Sequence, residues 1–343
     1  MPLTLINTHR FAEHVTPPGH PERPERADVL SAVAARWQPR GCALVAPRAA
    51  TLEQLARVHA DDYIGHIAST AGLATALDPD TYTSPESYEI ARLAAGAAID
   101  AVERTMDEPE TRTLALVRPP GHHAERSRAM GFCLFNNVAV AAAHARERGA
   151  ARVAIVDYDV HHGNGTQHIF ENDPDVLYVS THQFPYYPGT GASGEIGAGR
   201  GRGFTVNLPL EAGAVDEDYQ TAFAEVVVPV LRQFKPDLLI VSAGFDAHER
   251  DPLAGMRLTT PAFAAMTAEL RIVADQCCDG RLALVTEGGY DLEALGASLD
   301  GVIETLSAPA AEKPAWPASG IDASRGRRSA SEAARTLAPF WTL

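Results

Sequence analysis

Short apolar runs recur along the chain, separated by longer stretches whose apolar residues fall three and four positions apart. The runs Leu3–Ile6, Leu114–Val117, Val153–Val156, Val176–Val179, Thr205–Leu208, Leu238–Val241 and Leu282–Val285 mostly lack the polar alternation of a half-exposed strand. They read as strands covered on both faces. Helical patterns lie between many of them. Asn137–Arg148 ends at Gly149, a C-cap. Asp216–Phe234 opens on a capping aspartate, stops before Lys235-Pro236 and carries Pro229 as the expected place of a kink. Thr260 as N-cap and Pro261 at the first helical position open a helix that runs to Cys277. Strands alternating with helices predict an α/β fold with a doubly wound parallel sheet. The alternation spans residues 1–305, and residues 1–307 are read as one domain. The segment 308–343, rich in Ala, Pro, Ser and Arg, reads as a linker followed by a short helix over Ser329–Leu337.

Ligands of such sheets bind beyond the carboxyl ends of the strands, so the residues after each run matter most. They are Arg118-Pro119-Pro120-Gly121-His122-His123, then Asp157-Tyr158-Asp159-Val160-His161-His162-Gly163-Asn164, Ser180-Thr181-His182, Ser242-Ala243-Gly244-Phe245-Asp246 and Thr286-Glu287-Gly288-Gly289-Tyr290. Chance scatter of 13 histidines would not gather them at one sheet edge. Residues two apart in extended backbone point the same way, so Asp159 and His161 can grip one cation, with Asp246 as a third ligand. Three protein ligands leave a coordination position open, as in catalytic metal sites. Two oxygens and a nitrogen suit Zn²⁺ ahead of Fe²⁺ or Mn²⁺. Asp157 is placed to hold a neighbouring imidazole. Alone, a D-x-D-x-H run reads equally well as turn caps beside a surface histidine. The matching strand ends at Asp246 and His122-His123 decide for the metal. One of those imidazoles can act as general base, and the Tyr290 hydroxyl can donate to an oxyanion. His162 reads as structural.

Composition narrows the partners. The 343 residues carry 29 Lys plus Arg against 44 Asp plus Glu, a net charge of −15. That balance argues against nucleic acid and anionic membranes and favours cationic partners. Four cysteines without a C-x-x-C pair make no disulfide framework. No signal-peptide pattern and no run of 18 apolar residues occurs, so a cytoplasmic protein is expected.

At these residues the chain resembles the zinc-dependent histone deacetylase family, within the arginase/deacetylase fold. The resemblance covers roughly residues 10–305 and rests on GHPERPER at 19–26, RPPGHH at 118–123, MGFCLFNN at 130–137, DYDVHHGNGTQ at 157–167, YPGTG at 187–191, SAGFDAH at 242–248 and EGGYDL at 287–292. It implies a central eight-stranded parallel sheet and a narrow tunnel ending at one zinc. It assigns Asp159, His161 and Asp246 to the metal, His122 and His123 to a histidine dyad, and Tyr290 to carbonyl polarisation. Gly131, Phe132, Tyr187, Leu253 and Gly289 fall at tunnel positions, and Asp80 at the rim, where a solvated loop acid is an equal reading. Asp157, Asp159, His161, Ser180 and Thr181 match a structural potassium site. Backbone at Phe170, Asp173, Val176 and Phe204 matches a second monovalent-ion site. Asn164 stands where class I members have Asp, so the partner of His123 is an amide, as in class II. Leu253 stands where the polyamine-selective branch has Glu, which favours acetyl-lysine in a peptide or protein over acetylpolyamines. A catalytically silent, ligand-binding relative would want a broken residue set, and all six key residues are present. Members of the family suggest a homo-oligomer.

Overall fold

The computed structural model describes residues 2–108, 111–309 and 314–343. Its main sheet has eight parallel strands: β1 (Leu3–Ile6), β2 (Ala43–Val45), β3 (Arg112–Ala115), β4 (Val153–Asp157), β5 (Val176–Gln183), β6 (Thr205–Leu210), β7 (Leu238–Ala243) and β8 (Leu282–Thr286). Their spatial order is β2-β1-β3-β8-β7-β4-β5-β6. The five strands β3, β8, β7, β4 and β5 are therefore contiguous at the middle, and their carboxyl ends and the loops that leave them carry the polar residues singled out in the sequence; Ser180, Thr181 and His182 lie within β5 itself.

The apolar runs are continuous because both faces are covered. Val153 and Ile155 of β4 join one core with the helices Ser87–Asp107 and Asn137–Glu147, while Ala154 and Val156 join the opposite core with Thr260–Cys277 and Leu292–Ser307. Period-two alternation thus distributes apolar side chains between two layers of helices.

Several boundaries differ from the sequence reading. β3 lies two residues earlier than Leu114–Val117, starting at Arg112, whose buried guanidinium pairs with Asp275. β2 escaped prediction because it is a short edge strand with two exposed residues. A small antiparallel pair, Thr75–Ala76 with Tyr82–Thr83, was also unread. The expected capping Asp216 is instead the first helical residue, and its carboxylate accepts from the Thr259 amide and hydroxyl. The amide of Val215 is capped by Asp218. Pro229 has no N–H to donate, and the helix widens to a π turn over Phe223–Val227 rather than breaking. Thr259, not Thr260, is the N-cap of the helix Thr260–Cys277. The last helix is longer than Ser329–Leu337, running over Ser324–Leu337. Its Ala330, Ala333 and Leu337 are buried in the same core as the sheet, and Asp218 accepts from the Gly326 amide. Within the expected linker, residues 310–313 lie outside the described residues.

A buried charge network ties the amino-terminal segment to the carboxyl edge of the sheet. Glu22 accepts two 2.7 Å hydrogen bonds from Arg118 and one of 2.9 Å from Arg26. All three side chains are fully buried. Burial works against the Glu22 carboxylate, but the two guanidiniums hold its pKa down at about 2. Its stabilising contribution is thus complete above the ordinary carboxylate range and is lost as pH falls through about 2. A Glu22→Gln protein is expected to lose about 3–5 kcal/mol at neutral pH, since two cations are left around a neutral amide. Urea unfolding measures this, and a loss within experimental scatter would remove the network from the account.

Candidate active site

Asp159, His161 and Asp246 converge from the ends of β4 and β7. His161 Nδ1 lies 3.2 Å from Asp159 Oδ1 and 3.1 Å from Asp246 Oδ2. One donor atom from each residue falls within 4.8 Å of the others, and all three residues are buried. The backbone fixes the carboxylates: Asp159 accepts from the His161 and Gly288 amides, and Asp246 from the Val160 amide. Gly288 has to be glycine, because a Cβ there would stand 2.2 Å from Asp246 Oδ2. Burial and the neighbouring Asp159 push the Asp246 carboxyl up to about 7. Two crowded, buried carboxylates beside one imidazole are a donor set that a divalent cation completes, and it fits zinc.

The two histidines after β3 have opposite electrostatics. His122 Nδ1 lies 3.0 Å from Asp157 Oδ2, which also accepts from the Tyr178 hydroxyl. Burial opposes the His122 imidazolium, but Asp157 and Asp159 outweigh it and raise the pKa to about 10. His123 Nδ1 lies 2.8 Å from Asn164 Oδ1. Burial, together with the charged His122 beside it, pushes His123 well below the usual imidazole value. One imidazole is therefore held charged and its neighbour neutral, with ring centroids 4.0 Å apart.

A cavity of about 150 Å³ reaches this cluster, lined by Asp80, His123, Gly131, Phe132, His161, Tyr186, Tyr187, Leu253 and Tyr290. Tyr187 stands edge-on to His123 at 5.2 Å, and Phe132 edge-on to Tyr290 at 5.8 Å. Gly131 keeps the wall thin, since a Cβ there would meet His123 Cδ2 at 2.4 Å. Phe132 adopts φ +70°, rare for a non-glycine residue, with its amide held by Thr81 Oγ1. Burial raises the Tyr290 hydroxyl well above its ordinary pKa, so it stays a hydrogen-bond donor.

The tunnel residues Gly131, Phe132, Tyr187 and Leu253 all line the cavity, and Asp80 joins them. Gly289 does not: it turns at φ +125° behind Tyr290, and its carbonyl accepts from Arg26 Nε. Asp157 pairs in register with Ser180 and Ser242 across the sheet. Thr181 Oγ1 is buried with no hydrogen-bond partner among the described residues. Phe170, Asp173 and Val176 share one turn, while the Phe204 carbonyl accepts from Tyr178. His162 is buried between Thr190 and Gln167, which is the packing role expected of it.

Sequence reasoning missed four contributors. Tyr186 stacks on His161 at 5.7 Å and donates to the Leu253 carbonyl. Arg26 lies 5.0 Å over the Tyr290 ring and bonds the Glu287 and Gly289 carbonyls. Glu287 accepts from the Gly121 and His122 amides and from Ser242. Asp251 accepts from the Tyr290 amide. The only signal for Arg26 was its place in the GHPERPER run, and charged residues in such runs ordinarily read as solvated.

Comparison with known proteins supplies the family context. The histone deacetylase domain family matches residues 20–306. A histone deacetylase-like amidohydrolase of Pseudomonas aeruginosa is 44% identical over 308 residues, 85% of this chain and 79% of that protein. The human polyamine deacetylase HDAC10 is 40% identical over 341 residues, 93% of this chain, which spans 49% of that protein's length. The solved structure of the HDA15 HD domain superposes with a TM-score of 0.91 at 38% identity, covering 99% of this chain and 95% of that one.

Proposed function

Because the chain belongs to the histone deacetylase family and is an amide-hydrolysing deacetylase, we propose that it removes the acetyl group from acetyl-lysine in a peptide or protein. The observation that carries this reading is the convergence of Asp159, His161 and Asp246 beside His123 at a narrow cavity. These three residues are proposed to hold one zinc ion. When bound there, zinc supplies Lewis acidity, lowering the pKa of a water toward ~7 and polarising a carbonyl oxygen. His123, neutral and held by Asn164, takes the proton from the attacking water and returns it to the leaving amine. His122, kept charged by Asp157, faces the negative charge that develops on the acetyl group. Tyr290 donates its hydroxyl to the same oxygen. Phe132 and Tyr187 flank the lysine stem.

Residues 1–307 are proposed as the catalytic domain and 308–343 as a tail, for which the helix Ser324–Leu337 packed on the sheet core is support. Asp157, Asp159, His161, Ser180 and Thr181 are proposed to hold a structural potassium, for which the unpartnered Thr181 hydroxyl is support. Backbone at Phe170, Asp173, Val176 and Phe204 is proposed for a second monovalent ion. The four free cysteines suit a cytoplasmic setting.

Acetylpolyamines are the competing substrate class, since one relative is named a polyamine deacetylase. The apolar Leu253 at the cavity wall favours acetyl-lysine, because it offers no charge to a distal amine. Comparing kcat/KM for an acetyl-lysine peptide and N-acetylputrescine decides between them. The peptide is expected to be the better substrate, and a preference for N-acetylputrescine would overturn the assignment.

A further inference from the structure

Asn164 makes one hydrogen bond too many to be only a partner of His123. Its Oδ1 faces His123 Nδ1 at 2.8 Å, and its Nδ2 donates to Glu125 Oε1, also at 2.8 Å. Asn164 is 2% exposed, and its other Nδ2 neighbour is the Met130 sulfur at 3.4 Å. An amide can be turned over with little change of shape, exchanging its donor and acceptor ends. In the turned orientation, Oδ1 would oppose the Glu125 carboxylate and Nδ2 would point at His123. The imidazole would then accept through Nδ1 and carry its proton on Nε2, which cannot serve as a base. The Glu125 carboxylate forbids that arrangement, because two acceptors would face each other.

Glu125 is itself well anchored. His168 Nδ1 lies 3.1 Å from Oε1, Arg128 Nη2 lies 3.8 Å from the same atom, and the Glu125 amide donates to the Arg128 carbonyl. The side chain faces an open cleft of about 790 Å³ that is separate from the acetyl-lysine cavity and is also lined by Arg57, Arg126, Arg146 and His168. The hydrogen bond from His168 holds the Glu125 carboxyl below its ordinary pKa against the effect of burial, so it is a charged acceptor at neutral pH.

We propose that Glu125 is a positioning residue for deacetylation: its carboxylate sets the orientation of the Asn164 amide, and the amide sets His123 with its proton on Nδ1 and Nε2 free to take another. The proposal rests on the reading of His123 as the base. It has a second consequence. An aspartate at position 164 would accept from His123 without any need for orientation, but it would place a second carboxylate 2.8 Å from Glu125 Oε1. Glu125 and Asn164 are a matched pair, each unfavourable without the other.

The test is a double-mutant cycle on the zinc-loaded full chain, with kcat and KM measured on an acetyl-lysine peptide. Glu125→Ala is expected to lower kcat about 10–100-fold, the range for loss of an outer hydrogen-bond partner at a metal site, with KM little changed. Glu125→Gln, whose amide oxygen still accepts from Asn164, restores much of that loss. Asn164→Asp alone is also slow, and the double variant Glu125→Ala/Asn164→Asp recovers toward the parent. ¹⁵N NMR of the imidazoles, with the His123 signals identified by their absence in His123→Ala, shows His123 shifting from the Nδ1–H to the Nε2–H form in Glu125→Ala. A tautomer unchanged by Glu125→Ala, or losses that simply add in the cycle, would overturn the positioning role. Failure of the underlying reading looks different: His123→Ala would then retain parental turnover.

Discussion

A Tyr290→Phe protein is expected to hydrolyse an acetyl-lysine peptide with kcat lowered about 10²–10³-fold, equivalent to about 2.7–4 kcal/mol of barrier, the cost of one lost oxyanion donor. The prediction isolates the hydroxyl because everything else that positions the ring survives. The Tyr290 amide stays bonded to Asp251, Arg26 stays over the ring at 5.0 Å, and Phe132 keeps its edge-on contact. The substituted ring therefore has no reason to move. Burial keeps the native hydroxyl protonated far above neutral pH, so its donor capacity does not vary across the working range. Steady-state kinetics measure the effect, and the loss belongs in kcat, since the hydrogen bond strengthens as charge develops on the oxygen. A variant with parental kcat would show that Tyr290 only packs the wall.

Replacing His123 by alanine is expected to lower kcat by about 10²–10⁴-fold, the usual contribution of a positioned general base. A second imidazole, His122, lies beside His123 with ring centroids 4.0 Å apart, and the electrostatics explain why it cannot substitute. Asp157 and Asp159 raise the pKa of His122 to about 10 against the cost of burial, so at neutral pH that ring has no lone pair to offer. His123 has one, because burial and the charged His122 beside it keep it neutral. Turnover of His123→Ala and His122→Ala over a range of pH separates the roles. Loss of His123 removes the base, whereas loss of His122 removes a fixed positive charge and should be the smaller defect. Equal activity of parent and His123→Ala would contradict the assignment.

The middle of the sheet was legible because its strands are apolar on both faces, and a run such as Val153–Val156 has no other economical reading. The sheet edge was not, since Ala43–Val45 is three residues long and partly exposed. The start of β3 at Arg112 was hidden for a different reason: a charged residue opens the strand, and only the distant Asp275 makes its burial tolerable. The convergence of Asp159, His161 and Asp246 was legible through spacing, since Asp159 and His161 are two apart in extended chain and Asp246 follows a neighbouring strand. Residues that act through long-range contacts gave no such sign. Glu22, Arg26 and Arg118 come from segments nearly a hundred positions apart and form one network only in the folded chain. Glu125 sits in a polar run, Ala124-Glu125-Arg126-Ser127-Arg128, that looks solvated until Asn164 is seen to reach it. Gly289, a tunnel position by resemblance alone, is not among the cavity-lining residues, and its carbonyl accepts from Arg26 behind Tyr290.

The central claim is that Asp159, His161 and Asp246 hold a single divalent ion with a face left open toward His123 and Tyr290. Anomalous diffraction at the zinc absorption edge from crystals of the full chain tests it most directly. The account predicts one strong peak at about 2.0–2.2 Å from His161 Nδ1 and from one oxygen each of Asp159 and Asp246, and its loss in crystals of Asp246→Ala. A peak elsewhere in the molecule, or a zinc whose four positions are all filled by protein atoms, would contradict it.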